Sequence, residues 1–360
     1  MSAPAIRVLL VDDSPLDLVI LRRLIDPMPG VDVVATAAGG KEALRLIAEH
    51  LPDVVCTDYM MPEMDGLELT KQIMGTQPTP ILAISSVVDD PESAFPILQA
   101  GALDFFPKPS PTPGEEDRIR RELAQKIRVL SKVYVFRRQS RAGGSGGTAT
   151  QAPREPTPSG PPIVGSTPSG ARRSGHSIAL IGASTGGPQA LQTLLGRLPA
   201  DFPLPICLAQ HISPGFLDAF ATWLDKTVPL SVRVARQGER PTCGCVYLAP
   251  ENAHMEFGPT GLVRLSDGPK RDGHRPSITV MFESAARAFG DRSVAVLLTG
   301  MGQDGAAGMK MLSDGRALTL AQNAETSVVF GMPKAAIALG AAKHVLSPDA
   351  IADTLLEVTR

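Results

Sequence analysis

The chain has 360 residues, is 43% hydrophobic and carries a formal net charge of -2. That length exceeds what one core usually serves, so two domains are expected, and the lack of a domain-wide positive field excludes nucleic acid as the main partner. The cysteines (Cys56, Cys207, Cys243, Cys245) make no disulfide framework, and the CxC at Cys243 and Cys245 lacks the second pair or histidine of a zinc site. The opening MSAPAIRVLLVDDSP meets two aspartates before any long apolar run builds up, and no stretch of about 20 apolar residues occurs anywhere. The expectation is a soluble, cytoplasmic protein without direct membrane insertion.

IRVLLVDD, residues 6–13, is a β-branched and leucine-rich run ending in acid, and Ser14-Pro15 opens a helix with apolar Leu16, Val19, Ile20 and Leu24. VDVVATA predicts a second strand, GGKEALRLIAEH a second helix and PDVVCTD a third strand ending at Asp58. ILAISS is a fourth strand, PESAFPILQA a weak helix, LDFFPKP a short fifth strand, and residues 115–136 a charged amphipathic helix. Five β/α units with apolar strands describe a parallel sheet covered on both faces.

In such a sheet Asp12 and Asp13 converge with Asp58 on one edge. Like charges raise each other's pKa, so a hard divalent cation is expected among them. Lys108 follows the fifth strand and reaches the same point, while Ser85 and Ser86 close the fourth with a hydroxyl. One aspartate at a strand end need do no more than start a turn. The joint pattern describes a site for moving a phosphoryl group onto a carboxylate, with Asp58 as nucleophile, Lys108 countering developing charge and Mg2+ coordinating phosphoryl oxygens.

LLVDDSP, DYMMPEMDG, ISS and PKP resemble the bacterial response-regulator receiver domain over roughly residues 5–130. The resemblance implies a five-stranded, flavodoxin-like parallel sheet. It also implies Asp58 as phosphoacceptor, Asp12, Asp13 and Asp58 as metal ligands, Ser85 as switching hydroxyl, Phe105 as aromatic switch and Lys108 as the family's lysine.

Residues 137–175 are dominated by Gly, Pro, Ser and Thr and predict a flexible linker between a domain at 1–136 and another at 176–360. The second begins with the strand HSIALIGAS, then a helix over GPQALQTLLGRL, the strand LPICLAQ and a helix over PGFLDAFATWLDKT. CVYLAP is a strand, HMEFGPTGLVRL a hairpin turning at Pro-Thr-Gly, and PSITVMFESAARAF a helix. SVAVLLTG is the most apolar strand, a helix from about Asp304 to Leu312 follows, and GRALTLAQ and MPKAAIAL add a strand and a helix. A doubly wound, mostly parallel α/β sheet is expected, with its ligand beyond the C-terminal strand ends.

The glycine-rich turn in IALIGASTGGP fails the dinucleotide fingerprint: its spacing is G-A-S-T-G-G, and Gln210-His211 stands where an acid is needed. Ser184 instead leaves the strand where a side chain points over the sheet edge, ahead of a helix whose free N–H groups suit an oxyanion. A serine needs a base, and His211 ends the next strand; Asp304, in LLTGMGQDG, can orient its imidazole. Singly, each has a plain structural account as a helix cap or a core histidine. His254 and His274 compete for a place in the cleft, but neither ends a strongly apolar strand.

GASTGGP, QH, APENAHM, DGHRPS, LLTGMGQDG and FGMPKAAI resemble the catalytic domain of the chemotaxis protein-glutamate methylesterases over about residues 176–356. The resemblance implies Ser184 as nucleophile, His211 as base, Asp304 as its orienting acid, and Thr185 with the backbone around Met301 at the oxyanion. It implies hydrolysis of glutamate γ-methyl esters on chemoreceptor cytoplasmic domains and deamidation of receptor glutamines. It further implies a chemotaxis histidine kinase as phosphodonor, recruitment to receptor arrays, and no cofactor for the ester chemistry. Two rivals from other classes remain: a phosphorylation-controlled binding protein with an inactive second module, and a DNA-binding regulator, for which no basic recognition helix is evident.

Overall fold

The computed structural model describes residues 4–85, 95–109, 115–133, 135 and 176–360. Ser86 and the expected linker at 137–175 lie outside the described residues. In the first domain, β1 (Ile6–Val11) leads into α1 (Pro15–Ile25), whose first turn is capped by the Ser14 side chain accepting from the Asp17 amide. Then come β2 (Val31–Ala37), α2 (Gly40–His50), β3 (Val54–Asp58), α3 (Gly66–Thr76), β4 (Ile81–Ser85), α4 (Phe95–Ala100), β5 (Asp104–Pro107) and α5 (Glu116–Leu130). The strands pair in parallel in the order β2-β1-β3-β4-β5, and β3 and β4 are buried along their whole length. Strand order reverses between β1 and β3, so the crevice at their C-terminal ends collects Asp12, Asp13 and Asp58. Helix α5 is shorter than the pattern over 115–136 suggests, ending at Leu130 with Ser131 as its C-cap.

The second domain runs β6 (Ile178–Ala183), α6 (Gly187–Leu195), β7 (Ile206–Gln210), α7 (Leu217–Thr227), β8 (Ser231–Val234), β9 (Cys245–Leu248), β10 (His254–Phe257), β11 (Val263–Ser266) and α8 (Ile278–Phe289). It continues with β12 (Ser293–Leu297), α9 (Ala306–Asp314), β13 (Leu318–Gln322), α10 (Met332–Ala338), β14 (His344–Leu346) and α11 (Pro348–Glu357). Seven strands form one parallel sheet in the order β14-β13-β12-β6-β7-β9-β8, while β10 and β11 make the separate antiparallel hairpin. The α/β class of both domains is as the apolar runs predict. The outer strands β8 and β14 escape sequence reading because they are short and part-exposed, without the unbroken apolar run of a central strand. Among the described residues no helix is long and apolar enough to cross a membrane.

The two domains meet through aromatic side chains. Phe95 of α4 stacks on Trp223 of α7 at 5.2 Å and lies 5.6 Å from Phe220, while Phe105 of β5 stacks on Phe216 at 5.6 Å. All are buried. Gln189 of α6 adds a polar tie, its Nε2 donating to the Ala102 carbonyl at 2.9 Å. Aromatic pairs in these geometries add to the area they bury. Truncating Phe95 removes a ring from between domains, so Phe95→Ala should cost about 3 to 5 kcal/mol, as for other buried aromatics. Because the chain has one tryptophan, the loss is readable directly: emission from Trp223 should shift to the red while the far-ultraviolet circular dichroism holds.

Candidate active site

At the crevice of the first sheet, the Lys108 ammonium donates to Asp58 Oδ2 at 2.9 Å and to Asp17 Oδ2 at 3.0 Å, and lies 2.9 Å from Asp12 Oδ2. Asp17, on the first turn of α1, was not anticipated; a lone acid in a helix start reads as a favourable charge for the helix dipole. Burial raises the Asp12 carboxyl above its usual range, offset only in part by the Ser14 amide and Lys108. Burial likewise raises Asp58 against the pull of Lys108, and Lys108 is itself raised, the carboxylates it bonds outweighing its burial. Ligand oxygens of Asp12, Asp13 and Asp58 lie within 4.8 Å of one another, and buried Asp12 Oδ2 accepts no aligned hydrogen bond. One ammonium does not neutralise this set, and an all-oxygen donor cluster of excess negative charge fits a hard divalent cation. Ser85 is buried at the end of β4, and Phe105 is buried near the start of the neighbouring strand β5.

In the second sheet β6 is flanked by β12 and β7, so Ser184 and His211 follow adjacent parallel strands, and the loop after β12 carries Asp304 to the same rim. The turn after Ser184 is tight. Gly186 has φ 77 and a Cβ there would lie 2.5 Å from Val328 Cβ; one on Gly300 would lie 2.7 Å from Ser184 Cβ. The Ser184 amide donates to the Thr299 carbonyl at 3.0 Å.

The His211 imidazole and Asp304 meet directly: Nε2 lies 2.9 Å from Oδ2, with the two side chains 8% and 1% exposed. Asp304 Oδ1 accepts from Ser277 Oγ at 2.8 Å and from the Thr279 and Gly305 amides at 2.9 Å, and Oδ2 accepts from the Ile278 amide at 2.8 Å. The carboxylate therefore sits on the N-terminus of α8, where unpaired amides and the helix dipole favour negative charge. Burial works against ionisation, but the His211 bond and these amides win and hold the Asp304 carboxyl well below the usual range. An ionised acceptor places the imidazole proton on Nε2. That leaves Nδ1 as the free base, and it is buried without a partner. Among the described residues no hydrogen bond reaches the Ser184 hydroxyl.

The expected α9 start at Asp304 gives way to Ala306, because Gly305 adopts φ 88 and the Asp304 side chain turns to α8. Gln210, Thr299 and Gln322 went unseen in the sequence. Gln210 Nε2 donates to the carbonyls of both Ser184 (2.9 Å) and His211 (2.7 Å), tying the main chain at the two residues together. Thr299 Oγ1 donates to the Thr185 carbonyl at 2.9 Å, and its amide donates to Gln322 Oε1 at 2.7 Å. The doublet QH carries Gln210, the run AQN carries Gln322 and LLTGMGQDG carries Thr299, but a single buried polar residue leaves no periodic trace. His254 is a structural histidine, with Nδ1 accepting from the Ser277 amide and Nε2 bonded to the Pro269 carbonyl.

The CheB methylesterase family model matches residues 179–355 and the response regulator receiver domain matches residues 8–120. Over 358 residues the chain is 42% identical to a protein-glutamate methylesterase/protein-glutamine glutaminase of Hahella chejuensis, covering 98% of each chain. It is 39% identical over 356 residues to one of Syntrophus aciditrophicus, again covering 98% of each. The chain belongs to the protein-glutamate methylesterase/protein-glutamine glutaminase family. In this methylesterase-family chain the depressed carboxyl of Asp304 also bears on stability. A lowered folded pKa contributes stability that is present above the unfolded value, 3.8, and is lost as pH falls through the folded one. Asp304→Asn should therefore lower stability at pH 7 by more than about 2 kcal/mol, the worth of a charged acceptor with several buried donors. In thermal melts the gap between parent and variant should narrow as pH drops below 3.8.

Proposed function

We propose that the chain is a phosphorylation-regulated serine esterase that hydrolyses glutamate γ-methyl esters on chemoreceptor cytoplasmic domains to glutamate and methanol, and deamidates receptor glutamines. The observation that carries this reading is the buried Asp304–His211 pair beside Ser184 on neighbouring strands. His211 Nδ1 takes the Ser184 proton as Oγ attacks the ester carbonyl. The backbone N–H groups of Thr185 and Met301, which bond to no acceptor among the described residues, serve the oxyanion. His211 then protonates the departing methanol. Water, deprotonated by the same nitrogen, attacks the acyl-serine and releases the glutamate carboxylate and the Ser184 hydroxyl. An amide substrate follows the same course with ammonia leaving. Receptor substrates would bring the enzyme to membrane-associated arrays.

Asp58 is the proposed phosphoacceptor, fed by a chemotaxis histidine kinase, with Asp12, Asp13 and Asp58 holding Mg2+. A bound Mg2+ supplies charge neutralisation for the phosphoryl oxygens. Strand β5 links this site to the esterase. Lys108, just past its end, contacts Asp58, while Asp104 Oδ2 at its start accepts from Thr185 Oγ1 at 2.8 Å and pairs with Lys126. Beside it Phe105 stacks on Phe216, its carbonyl accepts from Ser213 Oγ at 3.4 Å, and Gln125 of α5 reaches Met301 Sδ. The unphosphorylated receiver thus covers the lip formed by Thr185 and Met301. Phosphorylation adds charge that draws on Lys108 and Ser85, repacks Phe105 and shifts the population toward separated domains.

Ser184→Ala should cut methanol release from methylated receptor fragments by at least about 10^3-fold without unfolding the chain, and full activity in it would end the assignment. Asp104→Ala should raise the rate of the unphosphorylated chain toward that of the phosphorylated one and leave the latter unchanged. Equal rates with and without phosphodonor in the parent would count against gating. Because burial raises Asp12 and Asp58, protons compete for the metal site at higher pH than for free carboxylates. Mg2+ affinity by calorimetry should therefore begin to fall on acidification while still above the ordinary carboxylate range.

A further inference from the structure

His274 has no part in the chemistry described so far, yet its ring lies flat on that of His211, centroids 3.7 Å apart and planes within 9°. Both rings line one cleft with Gln210, Glu251 and Arg275. The turn that presents His274 is well defined: the Arg271 amide donates to the His274 carbonyl at 3.1 Å and the His274 amide returns the bond at 2.9 Å. Asp272 (φ 52) and Gly273 (φ 84) both take positive φ, as a two-residue primed turn demands. Three residues further on, Ser277 caps α8 and donates to Asp304. One short segment therefore supplies both the ring that lies on the base and three donors, from Ser277, Ile278 and Thr279, to the base's carboxylate.

The hydrogen bond to Asp304 restrains His211 at one atom. A ring so held can still pivot about its Cβ–Cγ bond through the angular tolerance of that bond, and the pivot swings Nδ1 on the opposite side of the axis. A flat neighbour removes this freedom. We propose that His274 is a positioning residue for the base: its neutral ring, laid on His211, fixes the plane in which Nδ1 faces Ser184. The role rests on the esterase reading of Ser184 and His211.

The charges facing His274 agree with a neutral ring. Burial lowers its pKa to about 4, His211 and Lys270 push the same way, and Asp304 opposes them; Arg275 and Glu251 share the cleft. When His211 takes up the serine proton, a neutral ring keeps its place, whereas a second cation at 3.7 Å would be repelled.

The test compares His274→Ala, His274→Leu and His274→Phe in the full chain at matched receiver phosphorylation, with Ser184→Ala alongside, following methanol release across pH. The Ala and Leu variants should lose kcat by about 10- to 100-fold, the cost of a slightly misplaced catalytic group, with KM within about threefold. The Phe variant, flat and uncharged, should return to within about threefold of the parent, with the acid limb of its pH–rate profile in place. Unchanged kcat in the Ala variant, a Leu variant equal to Phe, or a Phe variant as slow as Ala would overturn the proposal. If Ser184→Ala keeps full activity, it is the esterase reading that fails instead.

Discussion

The Asp304 carboxylate accepts from Ser277 Oγ, from the amides of Ile278, Thr279 and Gly305, and from the His211 imidazole. Removing a charge from water is costly unless donors replace the lost solvation, and here the N-terminus of α8 and its capping serine do so. The consequences spread outward. An ionised acceptor fixes the imidazole tautomer, the tautomer leaves Nδ1 as the only free base, and the loop after β12 must run toward α8 rather than straight into α9. Burying Asp304 costs nothing further to the helix, because the amides it binds are those that every helix leaves unpaired.

The same economy governs the receiver. Its acidic crevice is under-neutralised, with several carboxylates around one lysine, and so fits a cation. Strand β5 is four residues long, with Lys108 just beyond it touching the acids and Asp104 and Phe105 within it touching the esterase. A rearrangement at the acids has almost no chain over which to dissipate. Packed aromatic interfaces rearrange between discrete states, which suits Phe105 to a switch. Phe95, Phe220 and Trp223 extend that interface.

Gln210 shows how an apparently ordinary residue acquires a role from its surroundings. It is buried at the end of β7, and its amide bonds the main chain of both Ser184 and His211, so the relative position of these two residues depends on a side chain with no reactive chemistry. His274 and Asp17 belong to the same class. Each sits in a stretch that reads as loop or helix start, and each meets its partner only through a distant segment.

Local pattern by itself determined the α/β character of both halves, since alternating apolar runs and amphipathic helices leave parallel sheets as the natural packing. It also marked Asp12, Asp13, Asp58 and Lys108 as one cluster, and Ser184, His211 and Asp304 as another, because residues that end adjacent strands are neighbours wherever the strands are adjacent. The short edge strands β8 and β14 stayed hidden, because exposed short elements carry little periodicity. Only the tertiary structure decided that α8 holds Asp304, that Nε2 rather than Nδ1 faces it, that His274 covers the base, and that Asp104 and Phe105 press on the esterase. These are contacts between segments far apart in the chain, set by strand order and domain packing, and no local run of residues encodes either one.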